Sequence, residues 1–277
     1  MTAPRARLDA ELVRRGLARS REQAGELVAA GLVAVAGQTA SKSATQVARD
    51  APITVTGTDK PGYVSRGGHK LAGGLAAFGD LVVAGRNALD AGASTGGFTD
   101  VLLRAGAAHV VAADVGYGQL AWSLRTDSRV TVLDRVNVRA LGPVTPVPDL
   151  VVADLSFISL TLVLPALVSA AAPEADFVML VKPQFEVGKG RVGAGGVVRD
   201  TTDRSASIEK VAGAAAELGL GVRGITASPL PGPAGNVEYF LWLRRGAPPL
   251  DQEQLRRAIE GSPRGVRGDG SPRERKI

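Results

Sequence analysis

A chain of 277 residues with 45% hydrophobic side chains can hold one large domain with a small companion, and is too apolar to be disordered throughout. It has no cysteine, which excludes disulfides, thiolate zinc sites and a catalytic thiol, and with His69 and His109 as its only histidines no metal is expected. Of the net charge of +6, residues 1–70 carry +5 and residues 247–277 carry +2, so the middle stretch is close to neutral and the two ends suit a polyanionic partner.

The N-terminus lacks the charged-then-apolar run of a secretory signal, and the longest apolar stretch, Leu160 to Ala172, is interrupted by Thr161, Pro165 and Ser169. A soluble, cytoplasmic protein with no membrane contact is expected. From Arg7 to Ala30 apolar residues recur at helical spacing in two segments, with Ser20 placed to cap the second. Gly31 to Gly37 and Ile53 to Thr56 read as short strands bounded by glycines. Residues 1–57 therefore form a small α+β domain, and 58–63, with its Lys-Pro-Gly, a linker.

Residues 64–246 read as the large domain. From Ala88 onward strands and helices alternate, the mark of a parallel sheet covered on both faces. Seven strands are predicted: Ala88 to Ala91, Val110 to Val115, Val130 to Leu133, Leu150 to Asp154, Phe177 to Val181, Gly221 to Ile225 and Val237 to Leu243. Helices are expected over Gly97 to Arg104, Leu120 to Arg125, Leu160 to Ala171 and Ser205 to Leu218. The connection between the last two strands is too short for a crossover helix, so the seventh strand should run antiparallel, at the sheet edge. The fold class is thus α/β, a Rossmann-like seven-stranded sheet of the topology usual in methyltransferases, although a flavodoxin-like or dehydrogenase sheet would give a similar early pattern. Residues 247–277 are basic and rich in Gly and Pro, and read as a largely disordered tail with a short helix near Leu255 to Ile259.

The run Asp90-Ala-Gly-Ala-Ser-Thr-Gly-Gly-Phe98 follows the first strand and opens a helix, so Gly92, Gly96 and Gly97 let backbone approach a nucleotide-type cofactor. Asp114, 24 residues beyond Asp90, ends the second strand, where a carboxylate can accept both hydroxyls of an adenosine ribose. The bulkier Ala93 to Thr95 leave little room for a pyrophosphate, and an acidic Asp90 in the loop would repel phosphate while attracting a sulfonium and an amino group. S-adenosylmethionine fits these features better than a dinucleotide. Asp154 and Lys182 end the fourth and fifth strands, Glu238 begins the last, and Lys70 comes from the helix before the sheet. All four should converge at the carboxyl edge, where ligands of open α/β sheets bind.

Together with Ala113-Asp-Val-Gly-Tyr-Gly118, Asp154-Leu-Ser-Phe-Ile158, Lys182-Pro-Gln-Phe-Glu186 and the run Pro229 to Phe240, these motifs resemble the TlyA family over nearly the whole chain to Leu243. The resemblance implies an FtsJ-like methyltransferase domain that uses S-adenosylmethionine to methylate ribose 2′-hydroxyls of cytidines in small- and large-subunit ribosomal RNA. It implies a catalytic tetrad of Lys70, Asp154, Lys182 and Glu238; of its two lysines Lys182 is taken as the candidate general base, a choice the sequence alone does not fix. For the cofactor it implies Asp90, Gly92, Ser94, Thr95, Gly96, Gly97, Phe98, Asp114, Val115, Asn137, Asp154 and Leu155. Arg7-Leu-Asp9, Ser20-Arg21 and Gly31-Leu-Val33 resemble the S-four-type RNA-binding domain, implying that Arg7, Arg14, Arg15, Arg19 and Arg21 face RNA, with Arg66 adding to the contact.

Three other readings compete. A ribosome-binding or assembly factor without catalysis would have no reason to keep four tetrad residues. A membrane-active protein, suggested by the haemolysin label that some of the family carry, lacks a run of about 20 apolar residues. A dehydrogenase fails on glycine spacing.

Overall fold

The computed structural model describes residues 5–15, 17, 18, 20–55 and 62–262. The chain forms two compact units, residues 1–62 and 63–277. The linker expected over 58–63 falls mostly outside the described residues.

In the first unit, β1 (Arg5–Arg7) pairs antiparallel with β4 (Gln46–Ala48), and β2 (Val33–Val35) is flanked by β3 (Gln38–Thr39) and β5 (Ile53–Val55). Helices α1 (Leu8–Arg14) and α2 (Arg21–Ala29) bury Leu8, Leu12, Ala24 and Val28 against Val33 and Val47. The Ser20 hydroxyl accepts from the Gln23 amide at 3.1 Å, satisfying one of the orphan donors at the start of α2 as its position predicts.

The second unit opens with α3 (Arg66–Ala77) and continues β6 (Asn87–Ala91), α4 (Gly97–Arg104), β7 (His109–Asp114), α5 (Trp122–Arg125) and β8 (Val130–Asp134). It goes on through β9 (Leu150–Ala153), α6 (Leu164–Ala170), β10 (Asp176–Val181), α7 (Pro183–Glu186), α8 (Thr201–Glu217), β11 (Leu220–Ala227), β12 (Tyr239–Arg245) and α9 (Gln252–Glu260). Its sheet runs β11-β12-β10-β9-β6-β7-β8, with β12 antiparallel to both neighbours. All seven expected strands are present with their ends within two residues of prediction. The helix expected from Leu160 begins only at Leu164, with Pro165 in its first turn, where proline costs nothing, and Leu160–Leu162 form a separate 3-10 turn.

One further expectation needs correction. The last strand is antiparallel but not at the edge: β12 inserts between β10 and β11. Burial explains the order, since Tyr239 to Leu243 are all buried and suit an inner strand, whereas β11 is only half-buried from Gly224 onward and takes the edge. The short helix expected near Leu255 to Ile259 is present as α9, and the tail from residue 263 on lies outside the described residues. The side chain of Asp251 caps α9 through the Gln254 amide at 2.7 Å, and Leu255 and Ile259, four apart on one face, join the core that α8 builds with Ile208 and Val211.

Both faces of the sheet are covered. Helices α6, α8 and α9 pack on one side, and α3 and α4 on the other, with Leu71, Phe98, Leu102 and Phe240 at the centre of that second layer. At the edge opposite the glycine loop, the fully buried Asp176 is satisfied by Trp242 Nε1 at 2.8 Å and Arg86 at 2.7 Å, as a carboxylate removed from water must be.

Candidate active site

The carboxyl ends of β6, β7, β9 and β10 meet at one edge, and a cavity of about 270 Å³ opens there. The glycine loop forms one wall. Gly92 has φ +85°, and a Cβ on it would lie 2.7 Å from the Asp154 carbonyl oxygen, so the β6 and β9 ends touch only because this residue is glycine. A Cβ on Gly97 would lie 2.7 Å from the Gly68 amide, which lets α4 begin directly against α3. Ser94, Thr95, Gly97 and Phe98 line the cavity, whereas Gly96, at φ +97°, turns the backbone into α4 beside Leu120 and Leu124.

Asp90 departs from expectation. It lies inside β6, not in the loop, and is fully buried because its strand is covered on both faces. Thr99 donates to Oδ2 at 2.7 Å, and Oδ1 has no hydrogen-bond partner among the described residues. Burial pushes this carboxyl up to about 7, the Thr99 hydrogen bond opposing and the nearby Asp154 and Asp114 adding to the shift. Asp114 ends β7 and accepts from the Ser94 amide at 2.9 Å and the Gly116 amide at 2.7 Å, so it pins the glycine loop to the next strand end. Beyond it Val115 is exposed. Asn137 caps the short helical turn after β8 through the Arg139 amide, and Leu155 packs partly into the core.

The four tetrad candidates form two ion pairs. Lys70 Nζ donates to Glu238 Oε2 at 2.6 Å, and Lys182 Nζ lies 2.6 Å from Asp154 Oδ1. The second contact is out of line for hydrogen bonding; Lys182 makes its aligned hydrogen bond to Ser156 Oγ at 2.9 Å. Both lysines and Asp154 line the cavity, and Glu238, one residue before β12, stands behind Lys70. Lysines with carboxylate partners at the mouth of a cavity can orient a hydroxyl, and a lysine that has given up its own proton can take the hydroxyl's.

Sequence reasoning left Ser156 and Ser65 unassigned, although both line the cavity. Ser156 was within reach, two residues past Asp154 on the same strand end. Phe157 was missed as well: it is 91% exposed with φ +64°, a conformation an aromatic residue rarely takes, at the rim beside Ser156. Arg66 is exposed and lines the cavity. In the first unit Arg7 and Arg21 pair with Asp9, and Arg14 and Arg15 with the buried Glu11. Arg15 also donates to the carbonyls of Ala51 and Arg49, so it ties α1 to the loop after β4. Arg19 lies outside the described residues.

A Rossmann-like sheet with a glycine cradle after its first strand, and acidic residues at the next strand ends, defines the methyltransferase class of α/β proteins. Residues 63–245 match the FtsJ-like methyltransferase family and residues 6–53 the S4 domain, so the chain belongs to the FtsJ-like methyltransferases and, with its S4 unit, to their TlyA group. It is 64% identical over 244 residues to the 16S/23S rRNA (cytidine-2′-O)-methyltransferase TlyA of Mycobacterium tuberculosis strain H37Rv, covering 87% of this chain and 91% of that one. It is 36% identical to hemolysin A of Brachyspira hyodysenteriae, covering 84% and 98% of the two chains. A solved structure from Streptococcus thermophilus, labelled a hemolysin, superposes with a TM-score of 0.71 at 38% identity, covering 94% of this chain and 97% of that one. Among the described residues no helix is long and apolar enough to cross a membrane.

Proposed function

We propose that this protein transfers the methyl group of S-adenosylmethionine to the ribose 2′-hydroxyl of cytidines in ribosomal RNA. The observation that carries the reading is the pair of lysine–carboxylate contacts, Lys70 with Glu238 and Lys182 with Asp154, brought to one cavity from four separate segments. The M. tuberculosis relative, by its name, performs this reaction on 16S and 23S rRNA.

The donor set fits the cofactor. Gly92 and Gly97 leave backbone space that any Cβ would fill, Asp114 ends β7 with its carboxylate at the loop, and no lysine or arginine stands in that loop to favour a phosphate. S-adenosylmethionine, when bound, supplies an electrophilic methyl on a sulfonium. Glycine loop residues Ser94 to Phe98, with Asp114, Val115, Asn137 and Leu155 around the strand ends, would hold it. The protein's own work is to align and deprotonate the nucleophile. Lys182, once it has given a proton of its own to solvent, would accept the 2′-hydroxyl proton at Nζ as the oxygen attacks, and release it to solvent afterwards. Asp154 and Ser156 fix where that nitrogen sits. Lys70, held by Glu238, donates to the ribose oxygen and keeps it in register.

Residues 1–57 form the RNA-binding domain in this reading, 58–63 join it to the catalytic domain, and Arg7, Arg14, Arg21 and Arg66 supply phosphate contacts. Ribosomal subunits in the cytoplasm are the partner. The test is to add labelled S-adenosylmethionine and the protein to ribosomal subunits that lack the modification. Label in ribosomal RNA supports the reading, and its absence under conditions where the cofactor binds refutes it.

A further inference from the structure

We infer that Glu186 is a positioning residue for the reaction proposed above, on which this inference rests: it locks the two strand-end segments that carry Asp154 and Lys182 into one frame. Those segments leave adjacent parallel strands, β9 and β10, and nothing in a parallel sheet pairs them once the strands end. They are joined twice. At the cavity, Lys182 reaches Asp154 and Ser156. Four residues past Lys182, the buried carboxylate of Glu186 reaches back to the other segment, where Oε1 accepts from the Leu160 amide at 2.7 Å and Oε2 from the Ser159 hydroxyl at 2.5 Å.

Lys210, from α8, closes the arrangement by donating to the Glu186 carbonyl at 2.8 Å and lying 3.3 Å from Oε2. Between the two ties, the Phe157 ring meets the Phe185 ring at 5.2 Å, and the Phe185 ring lies 6.0 Å from Lys182 Nζ. The result is a closed loop of contacts running Asp154, Ser156, Phe157, Ser159, Glu186, Phe185, Lys182. Without the carboxylate, the buried Leu160 amide has no acceptor and must shift to find one. Such a shift moves Ser156 and Asp154 relative to Lys182, and displacements of about 1 Å at reacting groups cost up to about a hundredfold in rate.

Two variants of the full chain test this. Glu186→Ala removes both acceptors, whereas Glu186→Gln keeps an oxygen for the Leu160 amide. In the free protein, without cofactor or RNA, amide hydrogen exchange at Leu160 and its neighbours should quicken by about tenfold or more in Glu186→Ala, with β9 and β10 themselves unchanged. In methyl transfer to ribosomal subunits, kcat should fall by about tenfold or more while KM for RNA and cofactor stays within about threefold. Glu186→Gln should recover most of both. Unchanged exchange at Leu160, or faster exchange with kcat within about twofold of the parent, overturns the inference. So does a rate loss that follows only the fraction of protein folded and that glutamine does not rescue. If the unsubstituted protein methylates no ribosomal RNA, the functional reading fails separately, and hydrogen exchange still decides whether Glu186 joins the two segments.

Discussion

Lys70 Nζ and Glu238 Oε2 meet at 2.6 Å although 168 positions separate them in the chain, and Glu238 is only 1% exposed. A carboxylate so placed depends on its ammonium partner, because removing one member of a buried pair leaves an uncompensated charge at a cost of about 3–5 kcal/mol. Lys70→Ala should therefore lower thermal stability by several degrees. The double variant Lys70→Met with Glu238→Gln should regain most of that stability and none of the activity. Calorimetry and a methyl-transfer assay on the same preparations separate the two effects.

Gly92→Ala combines a positive φ with a Cβ 2.7 Å from a backbone oxygen that cannot swing away. The strain is on the order of 1–3 kcal/mol. Its relief would push the loop from the β9 end, so S-adenosylmethionine affinity measured by titration calorimetry should drop by about tenfold or more. Unaltered affinity would show that the cofactor does not use this cradle.

Asp90 sets a pH dependence. Its carboxyl is held near 7 by burial, whereas in the unfolded chain it titrates near about 4. A raised folded value means the native state favours the proton. The stability Asp90 contributes is thus complete below about pH 4 and disappears as pH climbs through 7, a change of up to roughly 4 kcal/mol. Denaturant unfolding followed by tryptophan fluorescence reports on the large unit, since Trp122 and Trp242 both belong to it. Between pH 5 and 8 the parent should lose distinctly more stability than Asp90→Asn.

In the S4 unit two arginines divide by exposure. Arg21 is 57% exposed beyond its contact with Asp9, and Arg21→Ala should weaken RNA binding and reduce the salt slope by about one. Arg15 is 21% exposed and holds two backbone carbonyls, so Arg15→Ala should destabilise the unit at unchanged salt slope. Filter binding across a salt series, beside thermal melts, distinguishes them. Glu11, which Arg14 and Arg15 hold down near about 2, adds stability that is complete above its ordinary range and is lost as pH falls through that value.

Much of this molecule was legible in its residues. The seven strands announced themselves as apolar runs bounded by glycine and polar turns, and Asp154, Lys182 and Glu238 as charged residues at the ends of those runs, whereas Lys70 sits within the helix before the sheet. What misled was whatever depended on two distant segments at once. The place of β12 inside the sheet follows from its burial on both faces, which its hydrophobic run permitted but did not require. The helix over 252–260, expected as a shorter one near Leu255 to Ile259, extends further because α8 offers it a face that its composition does not reveal. Asp90 read as a loop acid because it opens the glycine motif, although it lies within the strand, and the structural partners of Arg15 were out of sight because they lie 34 and 36 positions away.

The account turns on Lys182 taking a proton from a ribose hydroxyl. Ribosomal subunits lacking the modification, treated with S-adenosylmethionine and either the parent protein or Lys182→Ala, and then digested to nucleosides for mass spectrometry, test it directly. The parent should produce 2′-O-methylcytidine and the variant essentially none, with cofactor affinity equal in both. A methyl group found on a base, or undiminished 2′-O-methylcytidine from Lys182→Ala, would contradict it.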